Sequence, residues 1–453
     1  MASEAPIAHD PQWSVVHLRE ITTKIGSGAT PKGGADAYLP ARTNYALVRS
    51  QNVFDGRFDP DGLAFITDEQ AAELHGVVLQ PADILLNITG DGVTFGRACI
   101  VPTEILPACV NQHVSIVRVD PRRADAGYVL AFLTHPDVKP YIESFNAGGS
   151  RRAITKGHIE SFRVPLPPLP VQRKIASILG ALDDKIELNR RMSQTFESMA
   201  RALFKSWFVD FDPVRAKSEG RDSGLASPVA DLFPSSFEDS ELGEIPAGWY
   251  ATTIGSIADV VDCSHAKKPE RRENGRPLLQ LGNIRQDGVL DMSDPYLVGD
   301  SDYHAWTARI EASPGDCVVT NVGRVGAVAQ VPSDVRAALG RNMTAVRCRR
   351  GKPWPTYLVE ALRSDSMRDE IVRKTDAGTI LDALNVRSIP RLRVAEPSTP
   401  VLFRFETVAR PLRAKLESIE RESRGLHGLR DAMLPSLLAG DRIGQIGWLR
   451  GER

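Results

Sequence analysis

The chain is poor in the features that mark a secreted, membrane-spanning or self-sufficient catalytic protein. It has five cysteines in 453 residues, Cys99, Cys109, Cys263, Cys317 and Cys348. They form no CxxC pair and leave an odd count, so reduced core or loop thiols are expected instead of a disulfide framework. No apolar run approaches the roughly 20 residues of a membrane span. The opening MASEAPIAHDPQW has no basic flank before an apolar core, and a cytoplasmic location is the expectation. An excess of either charge is also missing: 56 Lys and Arg face 57 Asp and Glu, for a net charge of -1. Any nucleic-acid contact must therefore come from local patches. No GxxxxGK[ST] phosphate loop occurs; GSGATPKGG, Gly26 to Gly34, has glycines at the wrong spacing, and Pro31 suits a turn. The Pro-Pro-aromatic loop of an amino-methyltransferase is absent too. Pro167-Pro168 stands between Leu166 and Leu169 and reads as a rigid connector. Cys263 and His265 with Cys317 or Cys348 offer zinc-type donors, but the first half of the chain has no equivalent set, so no metal is expected.

What is present is a duplication. From Val171 to Trp207 runs a helical pattern whose heptad a positions are Leu182, Asn189, Phe196 and Leu203, with Lys185, Met192, Met199 and Ser206 at d. Displaced by 230, the step from Pro170 to Pro400, the a positions become Leu412, Ile419, Leu426 and Met433. The d positions become Lys415, Glu422, Leu429 and Ser436. The spacing predicts a first long helix over Leu182–Phe208, about 40 Å at ~1.5 Å per residue. Gly180 and Pro411 mark the junctions before the two helices, and Pro435 is expected to end the second one early. Two matching stripes can close on each other. Antiparallel closure, the reading taken, would put the preceding units at opposite ends, whereas parallel closure would stack them. Asn189 reads either as a buried polar register device or as a wet edge of the seam.

Each helix follows a region of short β-like runs broken by Gly, Pro and Asp turns, opened by Trp13 and Trp249. LVRSQN with Asn52 matches LLQLGN with Asn283, and PADILLNITG matches PGDCVVTNVG. Asn111 and Asn342 also correspond. Helical and strand signals do not alternate regularly, so the class is α+β: two β-rich globular units and a pair of long antiparallel helices as a coiled coil, with an internal pseudo-two-fold repeat. The expected boundaries are 1–168, a helical region 169–211, a Ser-, Pro- and Gly-rich linker 212–246, a second unit 247–398, a helical region 399–440 and a tail 441–453.

Polar and basic residues recur at the turns. In the first unit these are Arg49, Gln51, Asn52, Asn87, Thr89, Arg97, Asn111, Gln112, His113, Ser150, Arg151, Arg152 and Lys156. In the second they are Lys267, Lys268, Arg271, Arg272, Gln280, Asn283, Arg285, Asn321, Arg324, Arg341 and Asn342. Arg and Lys reach phosphates and guanine edges, and Asn and Gln can read adenine. Any one of them is equally an exposed charge or a turn-capping amide; the set points to DNA contact.

In order, GSGATPKGG, PADILLNITG, AGGSRRAITKGHIESFRVPLPPLPVQRKIA, KSWFVDFDPVRAK and LRDAMLPSLLAGDRI resemble the landmarks of specificity subunits of type I restriction-modification systems, over nearly the whole chain. The resemblance implies a non-catalytic, phage-defence DNA-recognition protein. Two target-recognition domains would each read half of a split, asymmetric double-stranded site. Helices between them would set the spacing and dock two methyltransferase subunits. S-adenosylmethionine would be used by those partners for adenine N6 methylation, ATP and Mg by a restriction/translocase subunit, and no cofactor by this chain. VVDCSHAKKPERR, Val260 to Arg272, departs from the early turn of the first unit, so the two halves should read different bases. The rival readings are a self-contained DNA methyltransferase or nuclease, and a coiled-coil adaptor that never touches DNA.

Overall fold

In the computed structural model, residues 5–440 are described apart from His75, 147–151, Gln286 and 377–381. The chain divides into two compact units, Met1–Glu187 with Gly425–Arg453, and Leu188–Arg424. Two long helices, Leu169–Phe208 and Thr399–Ala439, contribute residues to both.

The two units share one strand topology. In the first, an antiparallel sheet runs Thr22–Ser27, Val114–Val119, Ile84–Asn87, Ala98–Ile100. In the second, the order is Ala258–Asp262, Met343–Cys348, Cys317–Thr320, Val328–Gln330. A three-stranded sheet accompanies each. Tyr45–Val48 lies parallel to Ala108–Val110 and antiparallel to Ala64–Ile66; Arg276–Leu279 lies parallel to Ala338–Leu339 and antiparallel to Leu297–Val298. The same order and sense at every step make the duplication structural.

The central strands read as continuous apolar runs because both of their faces are covered. Ile84 and Leu86 enter a core with Tyr128, Phe132 and Phe162, while Leu85 enters another with Leu47, Val48 and Cys109. In the second unit Cys317 and Val319 join Trp249, Tyr357 and Phe405, and Val318 joins Leu279, Leu339 and Met343. Each four-stranded sheet is thus a wall between two cores. Antiparallel closing pairs, Ser14–His17 with Arg163–Leu166 and Tyr250–Thr253 with Arg393–Glu396, then deliver the chain into the long helices.

Those helices differ from the expectation in three ways. They start at Leu169 and Thr399, without a break at Gly180 or Pro411, so 40 residues give roughly 60 Å in place of 40. Pro435 lies inside the second helix, which runs on to Ala439. Its ring is exposed, and burial of Leu434, Leu437 and Leu438 offsets a proline penalty of about 3 kcal/mol. The third difference concerns phase. Asn189 and Ile419 are buried; Leu182, Met192, Phe196, Leu203, Leu412, Leu426 and Met433 are half-buried. Met199 and Leu429, expected on the seam, are 50% and 48% exposed. A straight helix drifts by ~20° per heptad against a 3.5-residue repeat, so fixed heptads counted from Leu182 slide off the contact stripe. Ala200 and Phe204 are buried where Met199 and Leu203 were expected.

Within the second unit the helices run antiparallel. Asn189 Nδ2 donates to Glu422 Oε2 (3.1 Å) and Ser423 Oγ (3.3 Å), whereas Phe204, further along, meets Phe405, further back, at 6.1 Å between ring centroids. Asn189 is fully buried and its Oδ1 has no partner, which selects the buried-polar reading over the wet edge. In the first unit Arg430 pairs with Asp183 at 3.1 Å, and burial pushes that carboxyl above its usual range against the pull of the guanidinium.

The stretch 212–246, expected as a linker, is packed structure. It forms helices Asp212–Ser218 and Ser227–Ala230 and the hairpin Phe237–Ser240 with Gly243–Pro246. Val214, Val229, Phe233 and Ile245 are buried in the same core as Trp207, Phe208 and Trp249. Their irregular spacing shows no period in sequence; aromatic partners from other elements bury them, with Trp207 and Phe233 at 5.1 Å. Among the described residues no helix is long and apolar enough to cross a membrane.

Two predictions follow from local chemistry. Ala82 of PADILLNITG has φ +65°, where the matching Gly315 has φ +87°. A side chain in this region costs about 1–2 kcal/mol. Ala82→Gly should therefore stabilise by about 0.5–1 kcal/mol in urea denaturation and Gly315→Ala should destabilise; equal signs would refute the account. In the second unit Glu370 accepts from Arg393 (3.1 Å) and Arg373 (3.0 Å), with Lys374 at 3.4 Å. Hydrogen bonds from Arg393 and then Arg373 hold its carboxyl at about 2, against 4.5 for a free glutamate. Stabilisation by this group is complete above pH 4.5 and fades as pH falls toward 2. Screened by solvent at the exposed cations, it amounts to about 1–2 kcal/mol. Glu370→Gln should lower stability at pH 7 and flatten the acid limb of a stability–pH profile.

Candidate nucleic-acid interface

Strand register gathers the polar residues of the first unit at one edge. Ser27 pairs with Ser115, Asn87 with Val114 and Leu86 with Ala98, so Asn87, Arg97 and His113 lie at neighbouring strand ends. Val48 pairs with Val110 in parallel, which brings Arg49 and Asn111 out together. Asn87 Nδ2 joins the two sheets at this edge by donating to Ser50 O (3.0 Å) and Thr94 O (3.1 Å). In the second unit the corresponding ends carry Gln280, Asn321, Arg324, Arg341 and Asn342.

Several of the polar residues hold the edge together. Asn52 is fully buried; its Oδ1 accepts from Arg49 N (3.0 Å) and its Nδ2 donates to Asp59 O (2.9 Å) and Asp61 O (3.2 Å). Asn283 repeats this with Gln280 N (2.7 Å) and Asp291 O (2.8 Å). Asn111 Oδ1 accepts from His113 N (3.0 Å), and Asn321 bridges Thr344 Oγ1 (2.9 Å) and Leu384 O (3.3 Å). A loop over a sheet end leaves backbone groups without ladder partners, and a carboxamide supplies both a donor and an acceptor.

Other charges are engaged by neighbours. Arg285 pairs with Asp287 and with Glu420 (3.0 Å), Arg152 with Glu143 (2.6 Å), Lys156 with Glu160 (3.5 Å), and Arg271 with Asp294. Thr89 Oγ1 and His113 Nδ1 share a 2.6 Å hydrogen bond, and Thr30 donates to Gln112. Gln51, Gln112, Lys267, Lys268, Arg324, Arg341 and Asn342 are exposed. Ser150 and Arg151 lie outside the described residues.

Aromatic rings escaped the sequence reading. Two guanidinium groups stand over the Phe54 ring, Arg57 at 4.3 Å and Arg97 at 4.5 Å from its centroid; Arg49 stands over Tyr38 and Lys268 over Tyr296. Such stacking fixes the direction of a flexible cation; Arg57 is also paired with Asp59 at 2.9 Å. The only sequence signal was an aromatic close to an arginine, as in Phe54 and Arg57. In the second unit, the extended stretch after Asp262 carries Lys267, Lys268, Arg271 and Arg272. Arg341 Nη2 donates to Ala266 O (3.1 Å), Tyr296 Oη to Pro269 O (2.7 Å) and Arg272 N to Leu297 O (2.9 Å), tying this basic segment to the sheet.

A family model described as the type I restriction modification DNA specificity domain matches residues 12–198. The chain is 24% identical over 393 residues to the type I restriction enzyme HindI specificity subunit of Haemophilus influenzae, covering 76% of this chain and 84% of that one. Over 443 residues it is 24% identical to the MjaIX specificity subunit of Methanocaldococcus jannaschii, covering 95% and 93%. Its fold is similar to the crystal structure of a type I restriction-modification S subunit from M. genitalium, with a TM-score of 0.57, 14% identity and 96% and 98% coverage.

The division of labour at the edge has a direct check. Asn52→Ala removes three buried hydrogen bonds and should destabilise by roughly 2–4 kcal/mol in chemical denaturation. Gln51→Ala, next to it but exposed, should stay within about 0.5 kcal/mol.

Proposed function

We propose that the chain is a specificity subunit of a type I restriction-modification system, a non-catalytic component that recognises the DNA target, and that each β-rich unit reads one half of a split, asymmetric site. The observation that carries this is a repeated frame with an unrepeated edge. Strand order and the Asn52 and Asn283 clamps recur, whereas Arg49 is matched by Gln280, and the GSGATPKGG turn by a basic segment. Equal frames give equal docking, and unequal side chains give unequal half-sites.

On this reading, Gln51, Gln112, Arg324 and Asn342 are the leading base-reading candidates, while Lys267 and Lys268 meet phosphates. The long helices, each contributing to both units, set the spacing and dock two methyltransferase subunits. Those partners would supply S-adenosylmethionine for adenine N6 methylation, and a further subunit the ATP- and Mg-dependent translocation and cleavage. In this scheme the chain itself contributes recognition and positioning.

The test is to express the chain with a cognate methyltransferase and map N6-methyladenine by long-read sequencing. One split motif with one modified adenine in each half is expected, and exchange of residues 1–165 should change one half only. Lys268→Ala should weaken DNA binding evenly across sequences and reduce the salt slope by about 1. A stable, active complex without sequence-specific methylation would favour the adaptor reading, and methylation by the chain alone the enzyme reading.

A further inference from the structure

We propose that Asp262, Cys263 and His265 form a binding site for a soft divalent cation, zinc by preference, at the root of the basic segment in the second unit. One donor atom from each residue lies within 4.8 Å of the others. A thiolate, an imidazole and a carboxylate are a donor mixture that zinc accepts at ~2.0–2.3 Å, leaving a fourth position open. The cysteines that sequence alone suggested as companions are elsewhere: Cys317 and Cys348 belong to the core around Trp249, and Asp262 completes the cluster instead.

The scaffold holds two of the three donors in place. Asp262 is the last residue of its strand, paired with Thr344, and Cys263 N donates to Met343 O at 3.2 Å. His265 Nε2 already reaches Asp262 Oδ2 at 2.9 Å, so the imidazole faces the cluster. Cys263 is buried, and burial pushes its thiol above the ordinary value. Cation uptake would break the S–H bond, form an S–metal bond and release one proton to solvent. Arg309 opposes the cation, standing 3.6 Å from Asp262 and donating to Cys263 O at 3.0 Å; the thiolate and carboxylate outnumber it.

The first unit has no room for such a site. Gly28 occupies the matching place, where a Cβ would fall 1.7 Å from Val110 O. Backbone against backbone closes that turn. In the second unit side chains take over, and the segment they root carries Lys267, Lys268, Arg271 and Arg272. A cation there would brace the root of the segment, just ahead of Lys267 and upstream of its ties at Pro269 and Arg272.

The experiment uses the full chain after chelation, with Co²⁺ as probe and Zn²⁺ as competitor. One Co²⁺ per chain should bind with a thiolate-to-cobalt charge-transfer band, displaced by Zn²⁺. Cys263→Ser should abolish the band. His265→Ala, whose side chain is 60% exposed and free to change without unfolding, should weaken binding more than about a hundredfold. Melting curves of both metal-free variants verify the fold. Bound metal should also slow tryptic cleavage after Lys267, the Lys268–Pro269 bond being resistant to trypsin. Lack of the band, its persistence in Cys263→Ser, or uptake indifferent to His265→Ala would overturn the site; cleavage unchanged by bound metal would overturn the anchoring role.

Discussion

Buried carboxamides hold together the polar edge of each β-rich unit. Where a loop crosses the end of a sheet, its backbone groups lose their ladder partners and are shielded from water, and an orphaned group there costs about 1–3 kcal/mol. Asn52 and Asn283 answer this with both ends of the amide, and Asn87 links two sheets across the same edge. Neighbouring positions are thereby released from structural duty. Gln51 is exposed because Asn52 is buried.

A second constraint is electrostatic. The chain is nearly neutral, and many of its charges are consumed internally. In the second unit Arg363 reaches Glu197 at 2.7 Å, and Arg413 reaches Glu360 at 3.4 Å, all four side chains largely buried. Burial pushes the Glu360 carboxyl up, against the pull of Arg413 and Arg363. Such a network adds little net stability relative to apolar packing, but losing one partner strands a charge; it therefore specifies one arrangement of the helices and the recognition unit within that body. In the basic segment Lys267 and Lys268 are exposed, while Arg271 beside them is held by Asp294.

The duplication was legible in sequence because motif order survives even when individual residues do not. The central strands were legible as well, since burial on both faces writes an unbroken apolar run. Other features depend on distance in space. The aromatic and aliphatic residues of 212–246 carry no period, and only their neighbours reveal that they are core. Helix phase was lost by accumulation, ~20° per heptad reaching roughly 50° by Met199. Residue type could not separate a structural clamp from a free surface amide: Asn52 and Asn342 look alike in sequence, yet one is buried with its amide occupied and the other is exposed at φ +66°. The Asp262 contribution beside Cys263 and His265 was equally invisible, because it rests on where three side chains turn at the end of one strand.

The wall-like sheets have a consequence for how such a protein changes over generations. A sheet with one wet face offers every second residue to drift. Here Leu85 and Leu86 face different cores, as do Val318 and Val319, so neither side is neutral ground. A substitution along these strands costs packing whichever way the side chain points, which is not so at the loop tips. Architecture of this kind leaves the loop tips as the places where a side chain can be exchanged while the frame stays still.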